Sequence, residues 1–157
     1  MKLECRRVSR LIDELDRKII RVLLRDARIS YREIAKELDV AVGTIYNRVK
    51  RLEEEGVIEG FYPKLNYEKV GYDLTVIIGI KAQGKRIRDI EREIARDEHV
   101  MCVYDVTGEY DIIVIAKFRN RKDMNTFVKK ILSIDGVEKT NTHVALEVVK
   151  EDFRLEP

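Results

Sequence analysis

Apolar positions in the first third of the chain recur at helical spacing. Leu15, Ile19, Val22 and Leu23 fall on one face of a helix predicted over residues 13–26, with acidic side chains in its first turn. Ile34, Ala35 and Leu38 stripe a second, shorter helix. Ser30 followed by Glu33 is the capping-box pattern that starts it. Residues 39–42 are too short for anything but a turn. Ile45, Val49 and Leu52 then line a third helix, which stops at Gly56. From residue 75 onward the pattern alternates between strand and helix. Strands are predicted over 75–82, 100–106, 112–118 and 137–149, and helices over 85–97 and 122–132. That order, β-α-β-β-α-β, predicts a ferredoxin-like antiparallel sheet with two helices on one face, so the whole chain is of α+β class. The other sheet face, with Ile, Val and Tyr alternating on several strands, needs a cover, and a second subunit is the expected one. Between the two patterns, Phe61, Tyr62, Pro63, Asn66, Gly71 and Tyr72 read as a linker with aromatic anchors.

The third helix carries the first candidate chemistry. At about 100° per residue, the face opposite its apolar stripe holds Gly43, Asn47, Lys50 and Arg51, flanked by Thr44, Tyr46 and Arg48. Hydroxyl, amide and guanidinium groups opposite a packed stripe suit a helix that lies in a DNA groove. Gly43, Thr44, Tyr46 and Asn47 would reach base edges, and Arg48, Lys50 and Arg51 would neutralise phosphates. Periodicity alone fits an ordinary helical hairpin with a solvated charged face at least as well.

The order helix, helix, turn, helix, Gly, strand resembles the Lrp/AsnC, or feast/famine, family of transcriptional regulators. The matching residues are Leu15 to Ile20 (LDRKII), Asp26, Ala27 and Arg28, Glu33 to Ala35 (EIA), Arg48 to Glu53 (RVKRLE), and Gly56, Val57 and Ile58. The resemblance spans about residues 11–150 and makes DNA binding the favoured reading. It implies, for an archaeal member, a helix-turn-helix domain over 1–58 with 1–12 as a basic extension. A hinge strand over 59–74 and a ferredoxin-like effector-binding and oligomerisation domain over 75–157 follow. Two departures stand out. Where the family has Gly in the turn and Ser capping the recognition helix, this chain has Asp39 and Ala41. Asp tolerates the left-handed conformation, and a missing cap oxygen costs about 1 kcal/mol.

Thr107, Gly108, Glu109, Tyr110 and Asp111 lie between the two central predicted strands. Exposed N–H groups in such a turn suit a carboxylate, and Glu109 or Asp111 could accept bonds from an ammonium. Without the resemblance a plain hairpin turn is the simpler reading. The TGxYD stretch, however, matches the family's effector loop, where an amino acid is held between dimers against the start of the last strand. Here that strand offers Thr140, Asn141 and Thr142, whose polarity points to glutamine or lysine as the effector; a solvated edge strand is the alternative. No cofactor is implied. The partners implied are double-stranded DNA with a pseudo-palindromic operator, a free amino acid, and further copies of the chain as dimers assembling into a tetramer or octamer.

Composition adds bounds. The chain of 157 residues has a formal net charge of +2. Residues 1–64 hold 15 Lys/Arg against 12 Asp/Glu, and residues 65–157 hold 16 against 17. The argument for DNA is therefore placement on one helix, not a broad basic surface. Abundant Lys, Arg and Glu with a single Gln and no Trp is a hyperthermophile-like composition. With no signal peptide or long apolar run, a soluble, cytoplasmic, membrane-free protein is expected. Cys5 and Cys102 read as inert thiols, and His99 and His143 lack ligand-spaced partners. No nucleophile–base set or phosphate loop points to an enzyme. The competing reading is a nucleoid-like DNA-wrapping protein with little sequence preference and no effector.

Overall fold

A computed structural model of the chain describes residues 12–157. The basic lead-in with Arg6, Arg7 and Arg10, expected as a helical or flexible extension, lies outside the described residues. The chain forms two compact units, one from the residues up to Lys64 with Asp152–Pro157, the other spanning Leu65–Glu151.

The first unit holds three helices, α1 (Glu14–Arg25), α2 (Tyr31–Leu38) and α3 (Val42–Glu54). Each start and stop has a local cause. Asp13 caps α1 by accepting from the Asp16 N–H, while the Asp16 carboxylate accepts from the Asp13 N–H. Ser30 and Glu33 exchange the same pair of bonds at the start of α2. The turn into α3 hinges on Asp39 at φ 53°, and it is the one non-glycine residue with positive φ among those described. Ala41 provides no side-chain cap, as expected from its methyl group. Ile19, Val22, Leu23, Ile34, Ala35, Ile45 and Val49 make one buried cluster where the three helices meet. Burial of each larger side chain contributes about 1.5–3 kcal/mol, so packing fixes α3 despite its weak cap.

In the second unit, strands β1 (Leu74–Ala82), β2 (Val100–Asp105), β3 (Ile112–Phe118) and β4 (Val137–Val144) form an antiparallel sheet in the order β2-β3-β1-β4. Helices α4 (Ile87–Ile94) and α5 (Arg121–Leu132) complete the β-α-β-β-α-β order. Alternate residues of the central strands, Val76, Ile78, Ile80 and Ala82 on β1 and Ile112, Val114, Ala116 and Phe118 on β3, are buried with Ile90, Ile94, Phe127 and Ile131 of the helices. The intervening residues point to the other face, where Ile77, Ile113 and Ile115 are only half-buried. That face has no helix layer.

The helix expected over 85–97 is shorter, Ile87–Ile94, and two further boundaries differ from expectation. Residues 59–66 form neither helix nor strand, and a short 3-10 turn (Glu68–Val70) follows them. An extended hinge segment can form a ladder only against a partner, which this single chain does not offer it. β4 ends at Val144 where a strand to 149 was expected, and residues 152–157 belong to the first unit.

Candidate DNA-reading surface and effector loop

Packing of Ile45, Val49 and Leu52 orients α3 so that Gly43, Tyr46, Asn47 and Lys50 are all exposed. These four recur at i, i+3, i+4 and i+7, so they line one strip of the helix surface. Thr44 is half-buried at its edge. The Tyr46 ring sits edge-on to Tyr31, with centroids 6.3 Å apart, which steadies it without covering it. Lys50 pairs loosely with Glu54 at 3.6 Å, and both side chains are well exposed. Such a pair is worth little, so the ammonium is free to exchange partners.

Arg48 and Arg51 have a different setting. Both reach back to α1, where Asp16 is fully buried. The Arg51 guanidinium donates to one Asp16 oxygen at 2.5 Å and the Arg48 guanidinium to the other at 3.2 Å. Arg48 also donates to Asp13. The Asp16 N–H and the Arg48 guanidinium together hold the Asp13 carboxyl down at about 2, and the same contact raises the Arg48 guanidinium further. Arg48 and Arg51, expected to neutralise phosphates, are thus each already bound to carboxylate within the unit. Asp16 is the residue that reading from sequence missed. Its place in the first turn of α1 was visible, but an acidic residue there passes for a favourable helix-dipole partner.

On the second unit, the loop between β2 and β3 is closed by the Val106 N–H donating to the Asp111 carbonyl at 2.9 Å. Thr107, Gly108 and Glu109 are exposed, and Gly108 takes φ 123°, a conformation that favours glycine. The Tyr110 ring lies flat over Gly79 of β1, and its hydroxyl accepts from the Asn141 amide of β4 at 2.8 Å. Glu109 approaches Lys139 at 3.7 Å. Asp111, expected to receive a ligand ammonium, is occupied: the Ala82 N–H donates to it at 2.9 Å and Lys81 at 3.0 Å. These two contacts, the backbone one foremost, lower its carboxyl pKa. Of the three polar residues expected on β4, only Asn141 shares the Tyr110 face. Thr140 and Thr142 stand opposite Ile80 and Ile78 and so point to the helix-covered face. Glu109, rather than Asp111, retains an exposed carboxylate.

These two sites define a class: a helix-turn-helix unit and a ferredoxin-like unit with an exposed loop between β2 and β3. Residues 12–59 match the winged helix-turn-helix DNA-binding family, and residues 75–155 match the Lrp/AsnC ligand binding domain. An uncharacterized HTH-type transcriptional regulator of Pyrococcus abyssi is 79% identical, over 94% of this chain and 100% of that one. The HTH-type transcriptional regulator FL11 of the same organism is 38% identical over 92% of this chain and 95% of its own. Among solved structures, AsnC of E. coli superposes with a TM-score of 0.84 at 29% identity, covering 93% of this chain and 99% of that one. The feast or famine regulatory protein from M. tuberculosis, complexed with L-methionine, gives a TM-score of 0.85 at 25% identity, with coverage of 92% and 99%. The chain belongs to the Lrp/AsnC family of transcriptional regulators. Among the described residues no helix is long and apolar enough to cross a membrane.

Proposed function

We propose that this regulator binds operator DNA through α3 and that a free amino acid, taken up beside the Tyr110 loop, alters its assembly and thereby its DNA affinity. The observation that carries the DNA half is the exposed strip of Gly43, Tyr46, Asn47 and Lys50 on a helix held rigidly by its opposite face. Gly43, Thr44, Tyr46 and Asn47 contact bases, and Lys50 contacts phosphate. In a dimer, two such helices enter successive major grooves of a pseudo-palindromic site. A second copy covers the half-buried Ile77, Ile113 and Ile115 and provides a ladder for residues 59–66. Dimers then assemble further into tetramers or octamers.

Replacing Lys50 with alanine is expected to flatten the salt dependence of binding by about 0.9 in log–log slope, equally on any duplex. Anisotropy titrations on two unrelated duplexes over a salt series measure this. A change in sequence preference without a change in slope would instead make Lys50 a base reader.

For the effector half, support comes from the exposed Thr107, Gly108 and Glu109 beside Tyr110 and Asn141, and from the bound L-methionine of the M. tuberculosis relative. The expected preference for glutamine or lysine rested on three β4 residues, and only Asn141 faces this loop. All twenty amino acids therefore belong in the test. A thermal-shift screen of the purified protein is expected to give one or two ligands that raise the melting temperature, since binding to the folded state stabilises it by mass action. A ligand can shift assembly only through different affinities for the alternative assemblies, so a true hit also changes the sedimentation profile. No shift with any amino acid would favour a DNA-wrapping protein without effector.

A further inference from the structure

Two aspartates and two arginines on α1 and α3 form a cluster whose charges cancel. Asp16 is buried and holds Arg48 and Arg51 together, while Asp13, on the rim, takes a second bond from Arg48. The two carboxylates differ in access: the Asp13 side chain is 52% exposed and that of Asp16 0%. Arg48 itself remains 28% exposed at the side of α3. A guanidinium recognises phosphate oxygens with the same fork of donors it offers a carboxylate. Asp13 and Asp16 both accept from the same Arg48 nitrogen, Nη1, so a DNA phosphate that takes up this nitrogen from the exposed side must displace Asp13.

We infer that Asp13 competes with DNA phosphate for Arg48, so that docking exchanges one oxyanion for the other while Asp16 keeps the arginine in place. The inference rests on the DNA-reading role assigned to α3 above. It makes Asp13 a positioning residue that lowers affinity for DNA in general, because every encounter must first displace it. The carboxyl stays ionised at any pH near neutrality, so the competition is permanent rather than titrated. Asp13 also caps α1, and asparagine or serine caps a helix as well as aspartate does. The competition can therefore be removed with the cap retained.

The test compares full-length wild type, Asp13→Asn, Arg48→Ala and the double variant on a mixed-sequence duplex, by anisotropy across a potassium chloride series. Asp13→Asn is expected to bind roughly tenfold more tightly at 0.1 M salt with the slope unchanged, because Arg48 neutralises the same phosphate in both complexes. In the Arg48→Ala background the same substitution is expected to add nothing. Equal affinities for wild type and Asp13→Asn, in a protein whose salt dependence Lys50→Ala still flattens, would overturn the inference and leave the DNA-reading role standing. A gain that persists without Arg48 would also overturn it, because Asp13 would then act only as a general negative charge. If wild type fails to bind DNA at all, both fall together. Asp13→Ser, which keeps one cap oxygen and drops the second carboxylate oxygen, repeats the test with a different side chain. Loss of helicity in both capped variants would make Asp13 a determinant of the fold and refute the competition.

Discussion

Asp16→Ala is expected to destabilise the helix-turn-helix unit by about 3–5 kcal/mol, the usual cost of removing one partner from a buried charge network. The carboxylate is fully buried and accepts from Arg48, Arg51 and the Asp13 N–H. Truncation leaves the Asp13 N–H and the Arg51 guanidinium without this acceptor, while Arg48 keeps only its bond to Asp13. It also removes the carboxylate that Arg48 and Arg51 share, and the buried Arg51 Nε already lacks a hydrogen-bond partner among the described residues. Both arginines retain some access to water, at 28% and 39% of the side chain, which places the expected loss at the lower end of that range. For a unit of this size, about 3 kcal/mol lowers the melting temperature by roughly 12–24 °C. Urea denaturation of the full chain, followed by helical circular dichroism, measures it. Asp16→Asn is expected to lose about half as much, because the amide oxygen still accepts a bond while the charge is gone. A loss below about 0.5 kcal/mol for alanine, the scale of an ordinary surface change, would show that the arginines are as well satisfied by solvent as by Asp16.

Most of the fold was legible because period and punctuation agree. The Ser30–Glu33 capping box and the apolar stripe of α3 were readable from spacing, the left-handed Asp39 from the resemblance, and each is present. The strand and helix order of the second unit was readable for the same reason, with ends shifted by a few residues. What spacing could not show is how side chains pair across elements. Arg48 and Arg51 lie on the polar side of α3 by periodicity, yet α1 crosses close enough for Asp16 to bind both. Asp111 reads as a free turn carboxylate until Lys81 and Ala82 of β1 each donate to it. Thr140 and Thr142 read as lining until the β4 register turns them to the helix side. The hinge strand was expected from resemblance, and a strand is a property of a pair rather than of a segment. Each difference arises from a partner distant in sequence.

Gly79→Ala is expected to weaken the response to the amino-acid effector by roughly tenfold to a hundredfold while leaving DNA binding by the first unit intact. A Cβ added at Gly79 would stand 2.7 Å from both Cγ and Cδ2 of Tyr110, far inside van der Waals contact. Those atoms are at the root of the ring, so no small tilt relieves the clash. Gly79 lies in β1, hydrogen-bonded between β3 and β4, and the strand cannot yield in place of the side chain. The ring must leave the sheet, breaking the bond from Asn141 and opening the loop that carries Thr107, Gly108 and Glu109. Overpacking of this kind costs about 1–3 kcal/mol, and the lost hydrogen bond accounts for about 1 kcal/mol of it. If the effector binds against the ring in its seated position, returning the ring would cost it that same energy. Affinity should then fall by roughly tenfold to a hundredfold. Titration calorimetry with the amino acid found by thermal shift measures the loss, and the double variant Gly79→Ala with Tyr110→Ala assigns its cause. Without the ring there is no clash, so the stability penalty of Gly79→Ala should vanish in that background, a coupling that a double-mutant cycle isolates. Wild-type stability and an undiminished ligand response in Gly79→Ala would show that Tyr110 does not need its seat on the sheet, and that the effector binds elsewhere on this unit.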